Sequence, residues 1–549
     1  MLRNIAFKQL VLIISFTLLL FTGTLLLKLD FSSSNFSTAD IASMFSSWTW
    51  IYLALLPIVT LLISRLDQRL SWTIPFSLAI VSCVIFTLVQ YPRIFYWDTF
   101  YHATTTKYII NHGNFSVITG YFQYPGSFIF LAAVSETLGL PLLESSMLLA
   151  AFFVLMITLL LFLIGRVIMR RINMGIEMSW VVPTIFLAFD FSFFNADHYS
   201  PQLMGLLMFI VFVYFCLKTL SLKSREWTFL LLVSLVALAT IHVISAAITV
   251  TCVFIIYLIG TKTTQLGNKR VATLTIFMTA TVLFISWQNF FADQLFRSVV
   301  SFLSSILTGQ RGPSIGRGIV FSPLPGVFVR FFNVYRYGIY TIFALASFLG
   351  LLAFWDRIEC RLSLSLGLGV FLGAIMFYLT PAVFGVGRIL HFGGVIVSIM
   401  SSYALVRNKK RIRVHFSRAF RIILPFLVIA TFLVSNSYYS TYASFIHLNE
   451  MRVAEFVAEN VRKQISVEVD DALLVRFYAD MSIPILLVDK RSDNSTIAQM
   501  KIGKSDLSLQ YLPRQLCYFN LTFIENNSSL IYSNGLGRIY AKTDSNVGS

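Results

Sequence analysis

The chain has 549 residues, of which 57% are hydrophobic and only 12% are charged. Soluble domains carry about 25% charged residues, so this composition excludes a soluble globular protein and indicates a polytopic membrane protein. The formal net charge of +17 does not require nucleic acid. Much of it lies in short clusters between apolar segments, where anionic lipid headgroups are sufficient partners. We therefore expect the lipid bilayer, and no nucleic acid, among the partners of this chain.

Apolar segments recur along most of the chain and predict an all-α bundle of about 13 transmembrane helices. They lie at roughly 9–28, 48–64, 73–90, 143–168, 178–193, 202–220, 227–241, 243–260, 271–289, 337–355, 362–380, 388–406 and 420–436. Residues 227–260 could form one helix, but basic residues flank both ends and favour two helices that meet near His242. The apolar stretch 126–140 lies between Pro125 and Pro141, which predicts a helix on the outer membrane surface.

The basic clusters between these segments predict a cytoplasmic N-terminus and an extracytoplasmic C-terminus. The densest cluster lies at 407–421. The first apolar segment follows Arg3 and Lys8 without a small-residue cleavage site, which predicts an uncleaved signal anchor. Sequons for N-glycosylation all fall on the predicted outer side, in agreement with this orientation. They begin at Asn35, Asn114, Asn494, Asn520, Asn526 and Asn527.

The composition changes where the last apolar segment ends. Helix-period residues at 451–461 precede two strand-like runs, at 472–478 and 483–488. These patterns predict a transmembrane domain over 1–436 and a small extracytoplasmic α/β domain over 437–549. The five cysteines show no metal-ligand spacing. Only Cys517 lies outside the apolar region and its connections, so we expect no disulfide within the second domain.

Ionisable residues collect at the predicted outer ends of the helices. Asp98, His102 and Lys107 follow one another closely among aromatic residues. Charged groups in such a place are costly unless they are used, so this segment predicts a functional site. The alternative is a solvated loop that happens to carry an acid and a histidine.

Further ionisable residues lie at other predicted outer ends. They are Asp197, His198, His242, Arg388 and His391. Groups from several loops that meet on one side of a bundle would form an interfacial active site. Taken singly, such histidines could instead anchor lipid headgroups.

The predicted outer loop at 290–336 is basic, against the usual bias of membrane proteins. Glycines surround Arg311 and Arg317 in its middle, which predicts a flexible backbone. Basic groups at the outer headgroup level suit the phosphate or pyrophosphate of a lipid. An ordinary solvated loop is the alternative.

Three short motifs follow one another along the chain: Asp98-x-x-Tyr101-His102 with Lys107, Gly113 and Tyr124-Pro125; Asp197-His198-Tyr199-Ser200-Pro201-Gln202; and Ile241-His242. They resemble the first two outer loops and a polar break of the GT-C glycosyltransferases. This superfamily includes protein O-mannosyltransferases, aminoarabinose transferases and oligosaccharyltransferase catalytic subunits. The resemblance covers roughly 90–260, with looser agreement to 436.

The resemblance implies a membrane glycosyltransferase that moves a sugar from a polyprenyl-phosphate-linked donor to a glycan, lipid or protein acceptor at the outer or luminal face. It implies catalytic roles for Asp98, His102 and Asp197, since a carboxylate can deprotonate or orient the acceptor. The substrate-binding residues we expect are Tyr101, Lys107, His198, His242, Arg311, Arg317, Arg388 and His391. Whether a divalent cation takes part stays open, and no nucleotide cofactor is expected.

Two features depart from the superfamily pattern. The Asp98 segment follows the third predicted span rather than the first, so two spans would be an N-terminal addition. The C-terminal region lacks a Trp-Trp-Asp motif, which argues against an oligosaccharyltransferase.

Two other functions compete with the enzyme. A transporter or flippase of a lipid-linked glycan would bind the same groups without reacting. Transporters usually place charge near the middle of the membrane on broken helices, whereas here the charge lies at one face, which favours the enzyme. A structural scaffold would leave Asp98-x-x-Tyr101-His102 unexplained.

Overall fold

The computed structural model describes most of the apolar region and several short strands. The described residues are 55, 58–60, 68–83, 94–113, 124–173, 175–189, 199–222, 225–261, 269–292, 304, 327–355, 357–379, 387–407, 423–431, 445–447, 465–467, 485–487, 528–533 and 538–542.

Most of these residues are helical. In chain order the helices are α1 (Thr73–Cys83), α2 (Trp97–His112), α3 (Gly126–Leu138), α4 (Leu142–Arg171), α5 (Val181–Leu187), α6 (Pro201–Leu222), α7 (Arg225–Ile241), α8 (Val243–Thr261), α9 (Lys269–Phe290), α10 (Val327–Ala353), α11 (Ile358–Leu379) and α12 (Gly387–Arg407). Helical turns also cover Gln68–Trp72, Ile176–Trp180 and 423–431.

These helices agree closely with most of the predicted spans, with two exceptions. α5 ends at Leu187, and Ala188 and Phe189 after it are not helical, so the prediction of a span over 178–193 is wrong at its end. α10 begins at Val327, well before the predicted start at 337. Arg330 and Arg336 therefore belong to a helix rather than to an irregular loop, whereas the side of the membrane on which they lie stays a prediction. Arginine is a good helix former, so these residues interrupt the apolar run without interrupting the helix.

Three helices of the described part are both long and apolar enough to cross a bilayer. They are Leu142–Arg171, Pro201–Thr219 and Val334–Ala353. Shorter apolar helices lie among them, and large apolar side chains cover the outside of the bundle. On α10, Val334 is 72% exposed and Ile342 is 62% exposed. Such faces suit hydrocarbon rather than water, as expected for an integral membrane protein.

The predicted break near His242 is present, because α7 ends and α8 begins on either side of this residue. Successive contacts show the direction of α8. Ile248 lies against Gly373, and Cys252 lies against Gly369. One residue number rises while the other falls, so α8 runs antiparallel to α11. The prediction of two helices is confirmed.

Small residues allow the helices to approach closely. A Cβ atom at Gly165 of α4 would lie 2.5 Å from the carbonyl oxygen of Ser179. Between α10 and α12, the hydroxyls of Ser347 and Ser401 form a 2.9 Å hydrogen bond. Close packing and polar contacts of this kind hold helices together in a membrane, where lipid supplies no hydrophobic drive between them.

Among the described residues, six short strands form three two-stranded sheets. They are β1 (Ile94–Tyr96), β2 (Phe445–His447), β3 (Ile465–Val467), β4 (Ile485–Leu487), β5 (Ser528–Ser533) and β6 (Arg538–Lys542). β3 and β4 are parallel, and the other two pairs are antiparallel. β4 lies within the predicted strand 483–488, whereas the predicted helix 451–461 and strand 472–478 lie outside the described residues. The division into domains 1–436 and 437–549 stays a prediction.

Candidate active site

The segment that carries Asp98 is a helix rather than a loop. α2 begins at Trp97, directly after β1, so Asp98 lies in its first turn. The helix ends at His112, and Gly113 follows with a φ of +64°. The Gly113 N–H donates to the Ile109 carbonyl oxygen at 2.8 Å, as is usual where glycine closes a helix. The helix ending in glycine that the resemblance implies is therefore present.

One face of α2 is buried and mostly polar. His102 is only 4% exposed, and Thr99, Ala103 and Thr106 on the same face are buried as well. The Thr106 hydroxyl donates to the His102 carbonyl oxygen at 2.9 Å. The His102 ring lies 5.9 Å, centroid to centroid, from the ring of Phe128 on α3. A side chain buried in this way does not anchor lipid headgroups. Lys107, farther along α2, is half-buried.

The first residues of α3 contact two other parts of the fold. A Cβ atom at Gly126 would lie 2.9 Å from the Thr240 carbonyl oxygen at the end of α7. The Ser127 carbonyl oxygen accepts a 2.6 Å hydrogen bond from the hydroxyl of Tyr199, just before α6. The short helix predicted over 126–140 is therefore fixed at its start by the second motif and by the turn at His242.

Two buried tyrosines hold this arrangement, and neither was among the predicted site residues. The Tyr124 hydroxyl accepts a hydrogen bond from the side-chain amide of Gln288 on α9. The Tyr199 ring packs against Phe153 of α4, with 5.7 Å between ring centroids. Burial raises the pKa of both tyrosine hydroxyls well above the usual range. Both therefore stay protonated, and they act as hydrogen-bonding groups rather than as bases.

The second motif also contacts the start of α12. The side-chain nitrogen Nε2 of Gln202, in the first turn of α6, lies 2.9 Å from Nδ1 of His391. Gln202 is 8% exposed and His391 is 5% exposed. Arg388 precedes His391 by three residues on the same helix, a spacing that places both on one helix face. A buried contact between distant segments therefore joins the second motif to the helix end that carries both predicted substrate-binding residues.

His242 is fully buried at the turn between α7 and α8. Its Nδ1 lies 2.7 Å from the Ser245 hydroxyl. A Cβ atom at Gly205 of α6 would lie 2.9 Å from the His242 Cβ. The predicted polar break thus lies directly against the start of α6.

Arg336 is a basic residue that the sequence interpretation placed in a flexible loop. Its Nε donates to the Tyr340 hydroxyl at 3.1 Å, and its guanidinium lies 5.5 Å from the centroid of the same ring. Ser347 of α10 donates to the Val397 carbonyl oxygen, and Gly350 lies against Met400, so α10 and α12 are parallel. Arg336 therefore lies toward the end of α10 that adjoins the start of α12.

The predicted site residues meet at one end of the bundle to the extent that they are described. Contacts link α2 to α3, α3 to the α7 end and to Tyr199, and the start of α6 to both His242 and His391. Outside the described residues lie Asp197, His198, Arg311 and Arg317, together with the side chains of Asp98, Tyr101 and Arg388. Among the side chains that are described, no three of histidine, cysteine, aspartate and glutamate are grouped so as to hold a metal ion.

Comparison by sequence finds no relative: no protein-family model and no curated protein matches the chain. Solved structures do match. ArnT from Cupriavidus metallidurans bound to undecaprenyl phosphate aligns with a TM-score of 0.54 and 11% identity, over 86% of this chain and 98% of that one. The same protein in its apo state aligns with a TM-score of 0.53 and 12% identity, with the same coverage. The Archaeoglobus fulgidus oligosaccharyltransferase in complex with Zn and sulfate aligns with a TM-score of 0.51 and 12% identity, over 76% of this chain and 62% of that one.

The chain is an integral membrane protein that shares the fold of ArnT and of the Archaeoglobus fulgidus oligosaccharyltransferase. The predicted class of fold, a polytopic helical bundle, is confirmed for the described residues. The match spans nearly the whole length of ArnT. The total of about 13 spans and the α/β character of the C-terminal region stay predictions.

Proposed function

We propose that this protein is a membrane glycosyltransferase that transfers a sugar from a polyprenyl-phosphate-linked donor to an acceptor at the outer or luminal face. The observation that carries the proposal is the series of buried contacts that links α2 through α3 to the second motif, and the second motif to the start of α12, at one end of the bundle. A structural neighbour that matches over 98% of its own length was solved with undecaprenyl phosphate bound, which supports a lipid-phosphate ligand. The acceptor is a glycan, a lipid or a protein.

In the proposed reaction, an acceptor oxygen forms a bond to the anomeric carbon of the sugar. The bond from that carbon to the phosphate oxygen breaks, and polyprenyl phosphate leaves with the electron pair. The Asp98 carboxylate takes the acceptor proton. His102, on the next turn of α2, and Asp197 assist as the other catalytic groups.

Basic and polar groups then bind the lipid phosphate and the sugar. Arg388 and His391 meet the phosphate from the first turn of α12, because hydrogen-bond donors stabilise the charge that develops on the leaving group. We assign Arg311 and Arg317 to the same phosphate. The sugar and the acceptor are assigned to Tyr101, Lys107, His198 and His242.

A bound metal ion has less support than the lipid-phosphate ligand. One structural neighbour was solved with Zn and sulfate. Among the described side chains no three possible ligands are grouped, and the side chains of Asp98, Asp197 and His198 lie outside them. The steps above are assigned to carboxylates, imidazoles and guanidinium groups of the chain.

The test is incubation of the purified protein in proteoliposomes with polyprenyl-phosphate-linked sugars and with candidate acceptors. We expect release of polyprenyl phosphate, detected by mass spectrometry, together with labelled acceptor. A nucleotide sugar offered as the donor serves as the control and should not react. Movement of an intact lipid-linked sugar across the bilayer, with no cleavage, would instead identify a flippase.

A further inference from the structure

The buried contact between Gln202 and His391 determines which nitrogen of the His391 ring carries the proton. The amide nitrogen of Gln202 carries two hydrogens and no free electron pair, so it can only donate. His391 Nδ1, 2.9 Å away, must then accept, and it carries no proton. In a neutral imidazole the proton therefore lies on Nε2.

This tautomer determines what His391 can do. With Nε2 protonated, this second ring nitrogen is a hydrogen-bond donor and cannot act as a general base. A donor suits an anionic oxygen, such as that of a phosphate. Such a donor would bind the same anion as Arg388, the cation three residues earlier on the same helix.

The hydrogen bond is not the only contact described between the two helices. The rings of Phe209 on α6 and Phe392 on α12 also meet, edge to face, with 5.2 Å between centroids. Both rings are fully buried, and such aromatic contacts stabilise helix packing by themselves. A polar pair beside this apolar contact adds directionality, because a hydrogen bond fixes the ring orientation and the position of the proton.

We propose that Gln202 is a positioning residue that holds His391 as a hydrogen-bond donor toward the phosphate of the polyprenyl ligand. This inference rests on the proposed function for the identity of the ligand. It adds a residue that acts on the ligand through His391.

The tautomer can be measured directly by solid-state nuclear magnetic resonance of protein labelled with ¹⁵N-histidine. The His391→Asn spectrum identifies the His391 signals by difference. In the unmodified protein we expect an unprotonated Nδ1 and a protonated Nε2. Protonation at Nδ1 would overturn the proposal, since it would mean that the Gln202 amide presents its oxygen to the ring.

Three variants separate positioning from structural support. Gln202→Glu replaces the donor by an acceptor, and we expect Nδ1 of His391 to become protonated. Gln202→Leu removes the partner, and we expect a mixture of both tautomers. The control is Phe209→Leu, which weakens the contact between the same two helices. It should lower the thermal midpoint and leave the tautomer unchanged.

Ligand binding is measured with polyprenyl phosphate itself, so that the result does not depend on sugar transfer. We expect Gln202→Leu and Gln202→Glu to raise the Kd by about tenfold, the size expected when one buried hydrogen-bond partner is lost. Phe209→Leu should bind nearly as well as the unmodified protein. An altered tautomer with an unchanged Kd in both Gln202 variants would overturn the proposal. Absence of sugar transfer by the unmodified protein, with the binding results as expected, would overturn only the proposed function.

Discussion

His102, His242 and His391 show how burial changes the meaning of a histidine near the end of a membrane helix. From sequence, each could anchor lipid headgroups, because imidazoles are common at membrane interfaces. In the structure they are 4%, 0% and 5% exposed. An imidazole buried to this extent needs polar partners inside the protein. Two of these partners are Gln202 and Ser245. Gln202 ends the second motif but was not among the predicted site residues, and Ser245 belongs to no motif.

The hydroxyl of Tyr199 gives the first prediction at this scale. Tyr199→Phe leaves the ring in place but removes the donor to the buried Ser127 carbonyl oxygen. We expect a loss of about 1–3 kcal/mol of stability, the cost of an unsatisfied buried acceptor. The measurement is the thermal midpoint in detergent at one fixed scan rate. Tyr257→Phe is the matched control, since the ring of this half-buried tyrosine stacks on Phe277. Equal midpoints for the two variants would contradict the assigned role.

Arg388 gives the second prediction. A guanidinium pairs with phosphate through two parallel hydrogen bonds, which lysine cannot reproduce. We expect Arg388→Lys to weaken the binding of polyprenyl phosphate and to leave the thermal midpoint nearly unchanged. Arg170→Lys, an exchange of an exposed arginine in the last turn of α4, should change neither the affinity nor the midpoint. An unchanged affinity in Arg388→Lys would indicate that the Arg388 side chain extends to the lipid headgroups of the bilayer and does not bind the phosphate of the ligand.

At the scale of elements, the sequence predicted most helices well and their ends less well. Within a membrane, long apolar runs have few alternatives to the helix, because every backbone polar group must be paired internally. α10 was predicted too short because Arg330 and Arg336 lower the local hydropathy. Residues 97–112 were not among the predicted apolar segments, because the buried residues of α2 include threonines and His102 rather than large apolar residues.

The pairing of β1 with β2 could not be predicted from the sequence. Each strand has three residues, too few for an alternating pattern, and its partner lies far along the chain. The pairing is antiparallel, with Phe95 opposite Ile446. β1 leads directly into α2, so residues beyond the last predicted span contact the segment that carries Asp98.

This pairing gives the prediction at the scale of elements. Opposite residues of an antiparallel pair have Cα atoms about 4.5–5.5 Å apart, a separation that a disulfide can span. We expect the double variant Phe95→Cys with Ile446→Cys to form a disulfide under mild oxidation, detected as a linked peptide by mass spectrometry. Phe95→Cys with Leu487→Cys, whose second residue lies on β4 opposite β3, is the control and should not crosslink. Equal crosslinking of both pairs would contradict a specific contact between β1 and β2.

At the scale of the whole molecule, composition already indicates a membrane bundle, because the need to match the bilayer acts along the entire chain. The GT-C fold was expected only from the resemblance of short motifs. The detailed site does not follow in this way, because contacts such as Gln202 with His391 depend on how distant helices pack. The orientation of the chain in the membrane is predicted by the basic clusters and the sequons. It stays a prediction.

Orientation can be tested through Cys517, which the topology places outside the cytoplasm. We expect a membrane-impermeant thiol reagent, applied to sealed vesicles of known orientation, to label Cys517 from the extracytoplasmic face. The buried cysteines Cys216, Cys252 and Cys360 should react little, and Cys517→Ser should remove the signal. Labelling only from the cytoplasmic face would reverse the predicted topology.

The central claim is that sugar leaves a polyprenyl phosphate with Asp98 as the base. The most direct measurement is the rate of polyprenyl phosphate release by purified Asp98→Asn and by the unmodified protein under the same conditions. We predict a loss of about 100-fold or more, in the range of general-base removal, with an unchanged thermal midpoint. Glu136→Gln, which removes an exposed carboxylate from α3, should retain full activity. Turnover of Asp98→Asn close to that of the unmodified protein would contradict the assignment of Asp98 as the base.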